Sequence, residues 1–515
     1  MKITTQERKG EKRDMNTFMN NLTNAGNFDR TANGALAHKS TRSMVYDMFA
    51  LGGAYRRRTD EDCILLFKNA IEENVELAMK CLFYLRDCRG GQGERRFFRV
   101  CFKWLANSSY VDVARRNLDN LSEYGRWDDL IYTCVGTKLE TEALDIIKKQ
   151  LTLDAQCKTP SLLAKWMPSE NASSKETVKL GNIVREYLGL THKEYRKILS
   201  LLRARINVLE RLMSANRWDE IEFDKIPSKA GLIYKNAFAR RDIIAKKYEA
   251  FAKSEKTKVN AKTLYPYEVV HKAVEGTGGW GYNFRNISDT DKAMIEKYWT
   301  NLPDYLNGKD CKMMCVVDTS GSMTGSQADA PINVAIALGM YCAERIGGPF
   351  KNHYISFSSR PQLIRIEGVD FVDKVRRIYR TNLCENTNIE ATFNMLLNIA
   401  KQPTTRAEDI PETIVIISDM QIDSGTGYYQ SHWSQATADT EMEKIRQKWN
   451  AAGFKCPKLV YWNVNASKNT ILDNGADVTF VSGCSPVIFE QVLTGVTGYQ
   501  LMLDKLMSKR YEAVK

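Results

Sequence analysis

Met313-Met314-Cys315-Val316-Val317-Asp318-Thr319-Ser320-Gly321-Ser322 decides how this chain folds. Its first five residues are an unbroken apolar run, the pattern of a strand buried on both faces. Pro331 then opens the apolar stretch Pro331-Ile332-Asn333-Val334-Ala335-Ile336-Ala337-Leu338-Gly339-Met340, where proline suits the first position of a helix. A carboxylate and two hydroxyls therefore sit together where a strand ends. In open α/β sheets that edge is where ligands bind. One carboxylate with hydroxyls and water suits a hard octahedral cation such as Mg²⁺.

A second buried-strand run, Thr413-Ile414-Val415-Ile416-Ile417-Ser418, also ends in an acid, Asp419. Between the two runs, Asn386-Thr387-Asn388 precedes a helical stretch from Ile389 to Ala400. This set of Asp-x-Ser-x-Ser, Thr and Asp resembles the metal-ion-dependent adhesion site of von Willebrand factor A (vWA) domains. The resemblance implies that Ser320 and Ser322 bind Mg²⁺ or Mn²⁺ directly. It implies that Asp318, Thr387 and Asp419 bind directly or through water. One coordination position would remain for an acidic residue of a partner. The other reading is a vWA fold whose metal site is only structural or is unused. Further strands are expected over residues 354–358, 458–464 and 478–481, and helices near 372–379 and 440–451. Alternating strands and helices give a doubly wound parallel α/β sheet, spanning residues 306–495.

The chain has 515 residues and a net charge of +12, enough for two or three domains. Residues 1–310 carry 53 Lys and Arg against 41 Asp and Glu, whereas residues 311–515 carry 21 of each. The whole excess therefore lies upstream of the metal domain, and residues 161–260 alone hold 21 basic against 12 acidic residues. That asymmetry favours a nucleic-acid partner for the first module. Twelve cysteines and five histidines show no zinc-type spacing. No export signal and no long apolar run is evident, so a reducing cytosol is the expected compartment.

Residues 1–40 read as a polar arm. From about residue 41 the apolar spacing becomes three and four, as at Ile71, Val75, Ala78, Leu82 and Leu85, in one helix that stops at Arg89-Gly90-Gly91. Later helices are expected over residues 95–107, 111–121, 139–151, 177–188, 192–213 and 229–251. Short helices joined by short turns over residues 41–305 suggest an α-solenoid of HEAT-like stacked pairs. A glycine-rich break at residues 275–282 falls late in that module, and residues 496–515 form an amphipathic tail helix.

Within the predicted 192–213 helix, Tyr195, Leu199, Leu202, Ile206, Leu209 and Met213 form the apolar stripe, and Lys193, Arg196, Arg203 and Arg211 lie off it. Guanidinium groups about two turns apart can pair with successive phosphates. A solvated outer face is the bland reading. The turn holding Arg86, Arg89, Arg95 and Arg96 could place a phosphate at the next helix start, or be only a tight inter-helix turn. Lys165 beside Trp166, Lys235, Arg240 and Arg241 complete the candidate RNA-contacting set. Trp127 and Trp218 read as core anchors rather than base-stacking platforms.

Phrases of this module, among them Leu82-Phe83-Tyr84-Leu85-Arg86-Asp87, Tyr124-Gly125-Arg126-Trp127-Asp128-Asp129-Leu130, Ala164-Lys165-Trp166-Met167-Pro168 and Thr263-Leu264-Tyr265-Pro266-Tyr267, resemble a family found in plants and in large phages and viruses. That family joins a helical module to a vWA domain and looks like a divergent relative of the TROVE proteins, which include the Ro autoantigen. The resemblance implies a ring of helical repeats whose basic hole takes single-stranded RNA ends. It further implies an outer face for small structured RNAs. An RNA-binding scaffold of the ribonucleoprotein type, not an enzyme, is the expectation. The alternative is a vWA protein-interaction adaptor, for example for an AAA+ ATPase, without RNA. A hydrolase using Asp318 and Asp419 with a metal is a third reading, but the sequence offers it no nucleophile–base pair.

Overall fold

The computed structural model describes residues 27–31, 33–275, 284–381, 387–422, 441–469, 471–472, 477–496 and 498–515. The glycine-rich break at 275–282 falls outside these beyond Glu275, as do Asn386 and most of the polar arm. From Met44 to Thr300 the described chain is helical, in short segments joined by tight turns. A mostly parallel sheet with flanking helices follows. This is the order of modules that the sequence predicts.

Local chemistry sets the segment ends. Thr59 caps the Asp60–Glu73 helix by accepting from the Asp62 amide, and Asp60, Glu61 and Asp62 fill its first turn, where the helix dipole favours acids. Asn74 ends that helix in an extended conformation, and its side chain caps the Val75–Arg86 helix by accepting from the Leu77 amide. The 71–85 stripe predicted as one helix therefore turns a corner at Asn74. Two other expected helices also bend. Residues 192–213 divide into His192–Arg205 and Leu209–Ser214 around Asn207, which has φ 49°, a conformation asparagine tolerates. Residues 229–251 divide into Ser228–Arg240 and Asp242–Lys253, with Arg241 extended between them. Periodicity survives such corners because both helices bury their apolar faces in the same core.

The amino-terminal arm is more built than expected. Strands β1 (Phe28–Arg30) and β2 (Leu36–His38) pair antiparallel. His38 also exchanges backbone hydrogen bonds with Ile471 in the second module. Among the described residues the main sheet has six strands: β3 (Met313–Asp318), β4 (His353–Phe357), β5 (Leu363–Arg365), β6 (Thr413–Ser418), β7 (Lys458–Asn463) and β8 (Val478–Ser482). Their order is β5-β4-β3-β6-β7-β8. All neighbours run parallel except β4 and β5. The sheet thus departs from the all-parallel expectation at one edge. β5 is a three-residue, partly exposed strand, and the short His353–Arg365 hairpin carried no strand-length apolar run to announce it.

The helical module is fastened to the sheet domain at both ends. Near its start, the Gly53 amide donates to Ser482 Oγ (2.9 Å), Ala54 O accepts from the Ala466 amide (3.1 Å), and the Tyr46 hydroxyl accepts from the Phe480 amide (3.0 Å). Near its end, Trp299 Nε1 donates to Glu344 (2.6 Å), and Ala273 O accepts from Arg376 Nε (2.9 Å). A chain of helices that begins and ends on one domain closes a circuit. The last residues reinforce it. Arg510 binds Asp87 through Nε to Oδ2 (2.9 Å) and Nη2 to Oδ1 (3.0 Å), and the buried Tyr511 ring stacks on Tyr124.

Candidate metal centre and cationic cavity

β3 leaves one way, to β4, and the chain later returns to lay β6 on the other side of β3. The carboxyl ends of β3 and β6 therefore flank the switch point of the sheet, where a crevice is expected. Asp318 and Asp419 stand there, both buried. Asp318 Oδ1 accepts from the Ser320 amide (2.9 Å), its Oδ2 accepts from the Ser418 hydroxyl, and Asp419 Oδ1 accepts from the Gln421 amide (3.2 Å). Ser320 Oγ and Ser322 Oγ lie 3.2 Å apart. Ser322 is exposed and Ser320 buried, so the cluster opens on one side. Thr387 is buried and its hydroxyl donates to Gln421 O (3.0 Å), the residue two beyond Asp419. All five predicted metal-site residues thus converge on one sheet edge.

The donor set fits a divalent cation. Burial, followed by the neighbouring Asp419 charge, pushes the Asp318 carboxyl up to about 7, and burial likewise raises Asp419. Two buried carboxylates facing each other are costly unless a cation compensates them. Two acids and three hydroxyls with one open side suit Mg²⁺ or Mn²⁺, which keep several waters. Among the described residues no group of three or more His, Cys, Asp or Glu forms a metal cluster, and this set, with two acids, is of a different kind.

The arm reaches this site, which the sequence did not reveal. Thr31 Oγ1 donates to Ile422 O (2.5 Å) and Asn33 Nδ2 donates to Gln421 O (2.6 Å). Gln421 O therefore receives both Asn33 and Thr387, and the arm braces the loop that follows Asp419. Nothing in the local sequence marks Thr31 or Asn33 for that role.

The second site is a half-open cavity of about 1210 Å³ bounded by the circuit of helices and the sheet domain. Twelve Arg and Lys residues line it, against Glu94, Glu170, Glu210 and Asp329. Of the predicted basic residues, Arg86, Arg89, Arg95, Arg96, Lys165, Arg196, Arg203 and Arg211 line the cavity, while Lys193, Lys235, Arg240 and Arg241 do not. The structure divides the lining group further. Arg95, Arg196 and Arg211 are exposed and make no ion pair or side-chain hydrogen bond among the described residues. Although its side chain reaches solvent, partial desolvation by the surrounding cavity wall, with the Arg126 and Arg99 charges close by, pushes the Arg95 guanidinium down from its ordinary value. Arg89 is exposed and donates to Glu123 O, and Arg96 pairs with Asp60.

Arg86 and Arg203 differ from the other lining residues in being tied into the fold. Arg86 is buried and its guanidinium pairs with buried Asp129, with Nη2 to Oδ2 at 2.7 Å. Arg203 donates to Ala164 O (2.8 Å), Met167 O (3.0 Å) and Ser169 Oγ (3.1 Å). Both spend donors on holding helices together, Arg86 on a buried carboxylate and Arg203 on two carbonyls and a hydroxyl, so part of each guanidinium serves the fold. Lys235 pairs with Asp291 at 3.5 Å, and Arg241 lies over the buried Trp218 ring at 4.9 Å. Lys193 and Arg240 are exposed outside the cavity. Trp127 is half-buried against the core. Sequence reasoning missed Arg56, Arg126, Lys229 and Lys262 as lining residues. They are far apart in sequence and only the closed circuit brings them together.

The arginine-rich turn is a tight connection with a further role. Gly93 adopts φ 69°, and a Cβ there would meet the Tyr265 hydroxyl at 1.9 Å. That hydroxyl donates to Gln92 O (2.8 Å), so the turn packs directly against the late helices across the circuit. Glycine is required by both the left-handed φ and the close approach.

Among the described residues no helix is long and apolar enough to cross a membrane. Comparison with known proteins matches both modules. Residues 31–131 and 161–310 match the model of a domain of unknown function, DUF2828. Residues 312–506 match that of a second domain of unknown function, DUF7788. The chain is 28% identical to uncharacterized protein L728 of Acanthamoeba polyphaga mimivirus, over 91% of this chain and 85% of that one. Among solved structures it is similar to the Deinococcus radiodurans RO (RSR) protein, with a TM-score of 0.42 and 11% identity over 91% of this chain and 99% of that one. The chain therefore pairs a stretch similar to DUF2828 with a following stretch similar to DUF7788, meeting where the helices give way to β3.

Proposed function

We propose that this protein is an RNA-binding scaffold whose cationic cavity holds a single strand. The reading adds that Asp318, Ser320, Ser322, Thr387 and Asp419 hold Mg²⁺ or Mn²⁺ for an acidic residue of a protein partner. The observation that carries it is the excess of twelve basic over four acidic residues around one cavity. Arg95, Arg196 and Arg211 add to it, because unpaired guanidiniums in a concave site concentrate positive potential. A phosphate backbone is the polymer that such a lining neutralises. The metal, when bound, would supply a Lewis-acidic position for a carboxylate. The chain's own residues orient that position: Ser418 and the Ser320 amide fix Asp318, and Gln421 O fixes the Thr387 hydroxyl. No turnover is part of this reading.

The test is anisotropy titration of an unstructured RNA oligonucleotide against the full chain at salt concentrations from about 50 to 200 mM. Roughly six phosphate contacts predict a log–log slope of about −4 for a single strand. The Arg95→Glu, Arg196→Glu, Arg211→Glu variant is expected to lose at least about half of that slope while retaining Mn²⁺ binding. Asp318→Ala is expected to do the reverse. RNA affinity that ignores salt, or that survives the triple reversal unchanged, contradicts the cavity assignment. Full Mn²⁺ occupancy in Asp318→Ala contradicts the metal assignment.

A further inference from the structure

The cavity is not lined by charge alone. Leu162 is 50% exposed and Ile233 is 64% exposed, and both line it, as does the half-buried Trp166. Single exposed apolar side chains are ordinary on a convex surface. Inside a concave, strongly cationic wall they are costly, and a polyphosphate ligand has no use for them. Leu162 is the residue just before the helical turn Leu163–Trp166 that Trp166 ends, and both line the same cavity.

The side chains and backbone of this turn are held by several contacts. The Arg126 guanidinium lies 3.9 Å from the Trp166 ring centroid. Its plane is fixed by Asp128, which accepts from Arg126 Nε (2.9 Å) and Nη2 (2.5 Å). Lys165 sits 5.4 Å from the same ring. The backbone on either side of Trp166 is clamped by Arg203 through Ala164 O and Met167 O. The result is an ordered stack of the Arg126 guanidinium on the Trp166 ring, with Lys165 close to the ring and an exposed leucine lining the same cavity.

We infer that Leu162, Trp166 and Arg126 form a subsite for an unpaired nucleobase, with the neighbouring cations taking its phosphates. This rests on the RNA reading above and adds to it the class of group recognised. Every base has a π face, so such a platform selects unpaired bases without selecting their sequence. A duplex hides those faces in its stack, and an inorganic polyanion lacks them. The cavity therefore distinguishes a single strand from any other polymer of equal charge.

The experiment compares an unstructured RNA oligonucleotide with linear polyphosphate of the same number of phosphates, both titrated against the full chain at fixed ionic strength. Trp166→Leu removes the π face and keeps apolar bulk, and Leu162→Asn alters an exposed side chain that the fold does not need. The expected result is RNA binding at least about tenfold tighter than polyphosphate, the low end of what stacking one or two bases supplies. That preference should fall several-fold in each variant, with polyphosphate affinity unchanged. Equal affinity of the two polymers for the unaltered protein overturns the subsite and leaves the electrostatic reading standing. An RNA preference untouched by both substitutions also overturns it. Failure of both polymers to bind overturns the RNA reading itself.

Discussion

Arg196 and Arg203 lie two turns apart on one helix, and their replacement by alanine is expected to have opposite consequences. Arg203 gives three hydrogen bonds, to Ala164 O, Met167 O and Ser169 Oγ. A charged donor contributes about 1.5–3 kcal/mol per bond, and three bonds on one side chain are not additive, so Arg203→Ala should cost about 3–5 kcal/mol. The cost falls on the contact between the His192–Arg205 helix and the turn at Leu163–Trp166. In this interlocked chain it is best read locally, by hydrogen exchange of the Met167 amide, which bonds to Leu163 O at 2.9 Å. At about 1.4 kcal/mol per factor of ten, its exchange should accelerate roughly a hundred- to several thousandfold if the turn opens independently. Arg196 has no partner to lose among the described residues. Arg196→Ala should leave that exchange unchanged and lower the salt dependence of RNA binding by about 0.7 in log–log slope. Unchanged Met167 exchange in Arg203→Ala, with RNA loss equal to that of Arg196→Ala, would refute the division of the two residues.

Two further outcomes test the closed circuit. Arg510→Ala strips the paired guanidinium from the fully buried Asp87. Because Arg510 is a third exposed, the loss should be about 2 kcal/mol, below that for a fully buried pair; a lowered thermal midpoint checks it, with Arg510→Lys intermediate. Gly53→Ala would place a Cβ 2.5 Å from Ser482 O, a backbone atom. It should open the joint between the first helices and β8, seen as faster limited proteolysis there with Mn²⁺ binding retained.

Much of this architecture was legible because its signals are local. Met313 to Val317 and Thr413 to Ile417 announce buried strands by composition, and each is followed by the acid that its strand delivers to the sheet edge. The corners at Asn74, Asn207 and Arg241 were not legible, since the helices on both sides share one apolar face and the stripe runs through the bend. Arg196 and Arg203 look alike in sequence: both lie off the stripe. What separates them is a pair of carbonyls nearly forty residues upstream, which no periodicity reports. The same holds for Thr31 and Asn33, whose acceptors lie 391 and 388 residues away, and for Arg56 and Lys262, which only the closure of the helices brings to one wall.

The pairing of Asp87 with Arg510 also orders events during synthesis. The carboxylate is made early, in the helical module, and its guanidinium partner is 423 residues later. Until that partner emerges, Asp87 cannot be buried without cost, and the first helices must wait with this face open to water. A nascent chain therefore passes through a long interval as an unclosed arc, its cationic wall accessible from the side. On the RNA reading proposed above, a strand captured in that interval would be surrounded as the chain closes rather than inserted afterwards.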